Sequence, residues 1–198
     1  MAARIAVLAS GGGTNLQAII DYYAGIGNPA GSVVLVASNR AQAGALDRAR
    51  AAGIPAEVFD ATDDGTSLGT LLQRRSVELV VLAGYLKHIP VSIIRDYRGR
   101  IINIHPGLLP DFGGPGMYGA RVHAAVLASG ATTTGLTIHF VDDEYDHGPV
   151  IAQWRVRVKI DDTAESLAGR VLSAEHIVYP RVVDMVAALN SAGLTADF

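Results

Sequence analysis

Residues 4–25 read "RIAVLASGGGTNLQAIIDYYAG", an apolar run, three consecutive glycines, and then a stretch with helical spacing of Leu16, Ile19 and Ile20. A continuous apolar run predicts a strand buried on both faces, which is the habit of parallel sheets. The same alternation of run and helix recurs in "SVVLVASN" with "AGALDRARAAG", and in "ELVVLAGY" with "PVSIIRDYRG". Gly53 and Gly99 stand where those two helices should stop, and Pro90 stands where the second should start. A short strand "AEVF", a helix over 66–75 and the strand "RIINIH" complete the first half. The predicted fold class is α/β, a Rossmann-like, mostly parallel sheet with helices on both faces.

The second half changes in style. A glycine-rich loop, "FGGPGMYG", and a helix over about 120–129 lead to two extended runs, "TTTGLTIHFV" and "VIAQWRVRVKI", joined by "DDEYDHGP". These predict antiparallel strands added to the sheet. Ala152, Trp154, Val156, Val158 and Ile160 alternate with polar residues, so the last strand should be half exposed, with those five on its buried face. Asp162 and Glu165 suggest a capping box for a long helix running towards residue 190, kinked at Pro180. No repeat or linker divides the chain, and one domain over residues 1–198 is expected.

The 198 residues are 49% hydrophobic with a formal net charge of -3, and their Lys and Arg are scattered. A nucleic-acid partner is therefore not expected, and a small-molecule substrate is. Without cysteine there is neither a disulfide framework nor a thiolate nucleophile. The apolar run near the N-terminus is too short for a secretory signal, and no segment approaches the ~18 apolar residues of a membrane span. A cytoplasmic protein is the default expectation, with no membrane partner.

Gly11 to Asn15 lie between the first strand and first helix, where free backbone N–H groups favour an anion. The dinucleotide fingerprint fails, because its sixth position is Leu16 and the second strand ends in Ser38, Asn39 and Arg40 rather than an acid. The P-loop lysine is missing too. A phosphomonoester fits this loop better than NAD or ATP.

The strand "RIINIH" ends by placing Asn103 and His105 on one face, at the sheet edge where open α/β sheets bind ligands. An amide that donates without titrating, beside an imidazole that can carry a proton, suits a tetrahedral oxyanion. Asp146, in the loop between the two late strands, would raise the imidazole's pKa if it lay close. The six histidines show no metal-ligand spacing, so no metal is expected, and His139, inside an apolar run, is assigned a structural part.

Taken together, "LASGGGTNLQAII", "VVLAGYLKHI", "IINIHPGLLP", "GLTIHFVDDEYDHGPVIAQ" and "AEHIVYPRVV" resemble the glycinamide ribonucleotide formyltransferases of the formyltransferase superfamily, over nearly the whole chain. The resemblance implies transfer of a formyl group from the cosubstrate 10-formyltetrahydrofolate to the amino group of glycinamide ribonucleotide, by direct attack through a tetrahedral intermediate, in purine biosynthesis. It implies Asn103, His105 and Asp146 as the catalytic trio, with protonated His105 and Asn103 holding the oxyanion. It further implies Gly13, Thr14 and Asn15 at the ribonucleotide phosphate, and Glu175 at the glycinamide substrate. Leu86, Lys87, His88 and Ile89, with the loop starting at Val141, would line the folate pocket. Self-association as a homodimer is compatible with this reading.

Three features depart from many relatives: Lys87 in place of an arginine, an acidic "DATDDGTS" loop without an arginine, and Pro115 where a lysine is common. The rival readings are methionyl-tRNA formyltransferase, formyltetrahydrofolate hydrolase, sugar-nucleotide formylation, and a noncatalytic nucleotide-binding module. The first two carry an extra domain for which this chain leaves no room, the third would not need the tri-glycine loop, and retention of the whole trio argues against the last.

Overall fold

The computed structural model describes residues 2–194 and 196. Seven strands and six helices follow one another in the order β1 (Ala3–Leu8), α1 (Thr14–Gly25), β2 (Gly31–Ser38), α2 (Gly44–Ala51), β3 (Ala56–Val58), α3 (Thr66–Arg74), β4 (Leu79–Leu82), α4 (Val91–Asp96), β5 (Ile101–His105), α5 (Ala120–Ala128), β6 (Thr133–Phe140), β7 (Val150–Arg157) and α6 (Ala164–Ser191). They form one sheet with strand order β3-β2-β1-β4-β5-β6-β7. The first five strands pair in parallel, while β5–β6 and β6–β7 are antiparallel. The expected mixed α/β architecture is the one observed.

Strand alternation divides the core into two layers. Ile5, Val7 and Ala9 face a cluster that includes Leu16, Leu46 and Val183, from α1, α2 and α6. Ala6 and Leu8 face the opposite cluster, with Leu68, Leu72 and Ile93 from α3 and α4. Burial on both faces is why β1 has no polar alternation to read. Tyr179, fully buried on α6, donates its hydroxyl to the Leu82 carbonyl at 2.8 Å and so pins α6 to the end of β4.

The last strand and helix depart from expectation in detail. β7 is an edge strand, half exposed as predicted, and Val156 is buried. Trp154 is nevertheless 56% exposed, and Ile160 lies beyond the strand end, fully exposed. Alternation assigns a face, but at the sheet margin the core covers Val156 on that face and leaves Trp154 exposed. The capping box of α6 forms one residue later than predicted: Thr163 is the N-cap, with Ser166 as its reciprocal partner. Asp162 instead pairs with Arg170 and accepts the Lys159 N–H, which removes it from the cap. Pro180 lies buried inside the helix, so the helix carries through it in one span, and the His176 carbonyl lacks the N–H it would otherwise receive.

Candidate active site

The glycine loop enters α1 through Gly13, whose φ is +73°. A Cβ there would stand 2.7 Å from both Cα and Cβ of Ala45 at the start of α2, so only glycine fits. Gly11 and Gly12 meet no such neighbour. Their bareness leaves backbone accessible at the helix N-terminus. Arg48 donates to the Gly12 carbonyl at 2.7 Å and to Gln17 at 3.1 Å, tying α2 to the loop.

Asn103 and His105 end β5 on the face opposite Ile102 and Ile104. Both side chains line a cavity of about 550 Å³, as does Asp146. Beyond the strand, Thr137 of β6 bonds Gly107 and Leu109, and Gln153 of β7 bonds Leu109 and Thr137, so the exit through Pro106 is held from two strands. His105, only 3% exposed, has an acceptor at each ring nitrogen: Phe112 O at 2.6 Å from Nε2, and Asp146 Oδ2 at 3.4 Å from Nδ1. Asp146 sits in the left-handed region, φ +55°, and also receives the Gly114 N–H at 3.0 Å. A non-glycine residue held there is the kind of local strain found at functional sites.

Burial pulls the His105 pKa down and outweighs the upward pull of Asp146 and the Phe112 carbonyl. Burial thus favours the neutral imidazole, whereas the acceptor at each ring nitrogen favours the charged His105 that the resemblance implies. Burial pushes Asp146 up, but His139, His105 and the Gly114 N–H together hold it below the ordinary carboxylate range. A buried carboxylate beside a neutral imidazole is poised to stabilise a proton arriving on that ring.

His139 belongs to this cluster rather than to the framework alone. The β5–β6 register sets it directly across from Asn103, and its Nε2 lies 3.1 Å from Asn103 Nδ2 and 3.6 Å from Asp146 Oδ1. Its Nδ1–H donates to Phe140 O at 2.7 Å, and its Nε2 stands between the Asn103 amide and the Asp146 carboxylate. Asn103 Nδ2 touches that ring on one side and carries two N–H groups, so a donor remains for a ligand. Sequence reading missed His139 because cross-strand pairing is not local; a histidine among buried residues was the available signal.

Residues 3–183 match the family model for formyl transferase. The chain belongs to the formyl transferase family. It is 47% identical to the chloroplastic phosphoribosylglycinamide formyltransferase of Arabidopsis thaliana over 92% of its length, spanning 65% of that relative. Against the human trifunctional purine biosynthetic protein adenosine-3 it is 37% identical over 93% of its length, spanning 18% of that protein. Among solved structures, it matches glycinamide ribonucleotide transformylase 1 of Symbiobacterium toebii at 40% identity and a TM-score of 0.86, covering 94% of this chain and 88% of that one. The corresponding protein of Geobacillus kaustophilus matches at 36% identity and the same TM-score, covering 94% and 100%.

Within this formyl transferase chain, the other residues singled out by sequence separate into two groups. Asn15, Glu175, Leu86, His88, Ile89 and Val141 all line the main cavity. Asn15 donates to Glu175 at 2.7 Å, while burial raises the Glu175 pKa. His88 Nε2 lies 3.1 Å from Asp143 O and its ring packs edge-on to Tyr145 at 4.9 Å, so the Leu86–Ile89 segment and the loop after Val141 form one continuous wall. Lys87, Gly13 and Thr14 do not line it. Lys87 is exposed, Gly13 is packed on Ala45, and Thr14 faces a neighbouring cleft with Arg48 and His176. Among the described residues no group of acidic or histidine side chains is arranged to hold a metal, and no helix is long and apolar enough to cross a membrane.

Proposed function

We infer that this protein transfers the formyl group of 10-formyltetrahydrofolate to the amino group of glycinamide ribonucleotide. The observation that carries the reading is the approach of Asp146, 41 residues beyond His105, to 3.4 Å from its ring, with Asn103 in the same cavity. Relatives named for this reaction share most of the chain's length, and Asn15, just after the glycine loop, lines the cavity. Gly13, Thr14 and Asn15 take the ribonucleotide phosphate through the N-terminus of α1. Glu175, held by Asn15, takes the glycinamide substrate, and the wall of Leu86, His88, Ile89 and Val141 takes the folate, with Lys87 outside for its charged tail.

The amine attacks the formyl carbon, and the carbonyl oxygen becomes an oxyanion that the free N–H of Asn103 stabilises. Neutral His105 accepts the proton shed by the amine, its new charge is balanced by Asp146, and the proton leaves with the folate nitrogen as the C–N bond breaks. The oxyanion and the imidazolium thus form together, although His105 begins uncharged.

A formyl-transfer assay on the His105→Asn variant tests the reading. Turnover should fall by about 10²–10⁴-fold, the range for a positioned acid-base group, with folate binding largely kept. Unchanged turnover would sink the mechanism.

A further inference from the structure

His123 of α5 is 3% exposed, yet it lines the main cavity. Its Nδ1 is sealed from solvent with no hydrogen-bond partner. Both ring nitrogens of His105, and both of His139, face polar partners; His123 has none among the described residues. Nε2 is neither sealed nor bonded, so it is the ring nitrogen that meets the cavity. Neighbouring Val122 and Val126 show that an aliphatic side chain would serve the packing of this helix. Keeping an imidazole here instead leaves a buried polar atom unpaired, which costs stability.

The tautomer follows from the same facts. Protonating Nδ1 would seal an N–H away from any acceptor, whereas a lone pair there is the milder loss. His123 therefore stays uncharged with its proton on Nε2, directed into the cavity. Burial and the nearby His105 both pull its pKa down, which favours the uncharged ring.

Which ligand it meets is indicated by the helices. α5 packs on α6, and α6 contributes Gly169, Leu172 and Glu175 to the cavity beside Asn15. The wall built from Leu86–Ile89 and the loop after Val141 comes from other elements. Resting on the reading above, we propose that His123 is a contact for the amine substrate, its Nε2–H donating to the amide carbonyl oxygen one carbon from the reacting amine. That bond would hold the amine against rotation away from the formyl carbon.

Steady-state kinetics with each cosubstrate varied in turn, beside calorimetric titration of glycinamide ribonucleotide, test this. His123→Leu should raise the KM and Kd for the ribonucleotide by roughly 3- to 10-fold, the worth of one neutral hydrogen bond, and leave the folate KM unchanged. His123→Gln places an amide N–H near the Nε2 position and should restore most of the loss, whereas His123→Asn, which places it near Nδ1, should not. Equal behaviour of the Gln and Asn variants, an equal rise in both KM values, or an unaltered ribonucleotide Kd in His123→Leu would overturn the assignment. If the wild-type protein binds the ribonucleotide but forms no formylated product, the functional reading fails while the Kd series still decides the His123 contact.

Discussion

Asn15 Nδ2 donates to Glu175 Oε2 at 2.7 Å, joining residues 160 positions apart, and the second amide atom, Oδ1, is buried with no partner. The first turn of α1 and the middle of α6 thereby share one polar contact at the end of the cavity nearest the glycine loop. Both residues were expected at the substrate from opposite ends of the chain. Their pairing holds a buried carboxylate at the cavity wall, and burying it has a measurable cost.

Glu175→Gln should be more heat-stable than the wild type at neutral pH. Burial raises the Glu175 pKa, so its favourable contribution is present below the unfolded value of 4.5 and is lost as pH rises through the folded one. Glutamine removes that loss and can donate to the orphaned Asn15 Oδ1. The gain, read as a Tm difference, should widen from pH 4 to pH 7, while the ribonucleotide KM rises by about 10-fold or more through loss of a charged acceptor. A Tm below the wild type at pH 7 would contradict this account.

Asp146→Asn should lower the His105 pKa further, because the carboxylate is the largest influence that raises it. Imidazole NMR titration reads the shift directly. Formyl transfer should fall by about 10²-fold or more, since the imidazolium formed during attack loses its counter-charge. An unchanged titration would mean that the 3.4 Å approach is not maintained in solution.

Stability should decline as pH falls from 7 to 5. Burial depresses the pKa values of His105, His123 and His176, so the unfolded chain binds more protons below about 6.5. Their contribution is complete above the unfolded value and is lost as pH drops towards the folded ones. Denaturant titrations at several pH values should show this slope, and His123→Leu should flatten it. A slope identical to that of the wild type would argue against a buried neutral His123.

Gly13→Ala and Gly12→Ala should part company. Alanine at 13 meets Ala45 at 2.7 Å with φ +73° and should destabilise the fold by roughly 1–3 kcal/mol. Alanine at 12 meets nothing within 4 Å and should fold normally, with any defect confined to the ribonucleotide KM. Chemical denaturation and kinetics on the same two proteins make the comparison.

Much of this molecule is local in origin and could be read without coordinates. The uninterrupted apolar runs of β1, β2 and β4 announce parallel strands, and the glycine that ends α2, Gly53, adopts φ +69° as its position requires. Asn103 and His105 share a face because strand alternation is a property of the backbone itself. The Thr163 cap escaped because several polar residues in succession could each serve, and the choice among them depended on Arg170 claiming Asp162 from two turns along the helix.

By itself, then, the sequence determined the fold class and pointed to the glycine loop and to Asn103, His105 and Asp146 as candidate site residues, since each follows from local spacing or from resemblance along the chain. Tertiary structure alone decided that Asp146 reaches His105, that His139 stands opposite Asn103, and that His123 keeps an unpaired nitrogen beside the cavity. Register, loop approach and desolvation are relations between distant segments, and no neighbouring residue encodes them. The same burial that assembles the site also pulls the His105 pKa down, a shift set by the surroundings of the ring rather than by the ring.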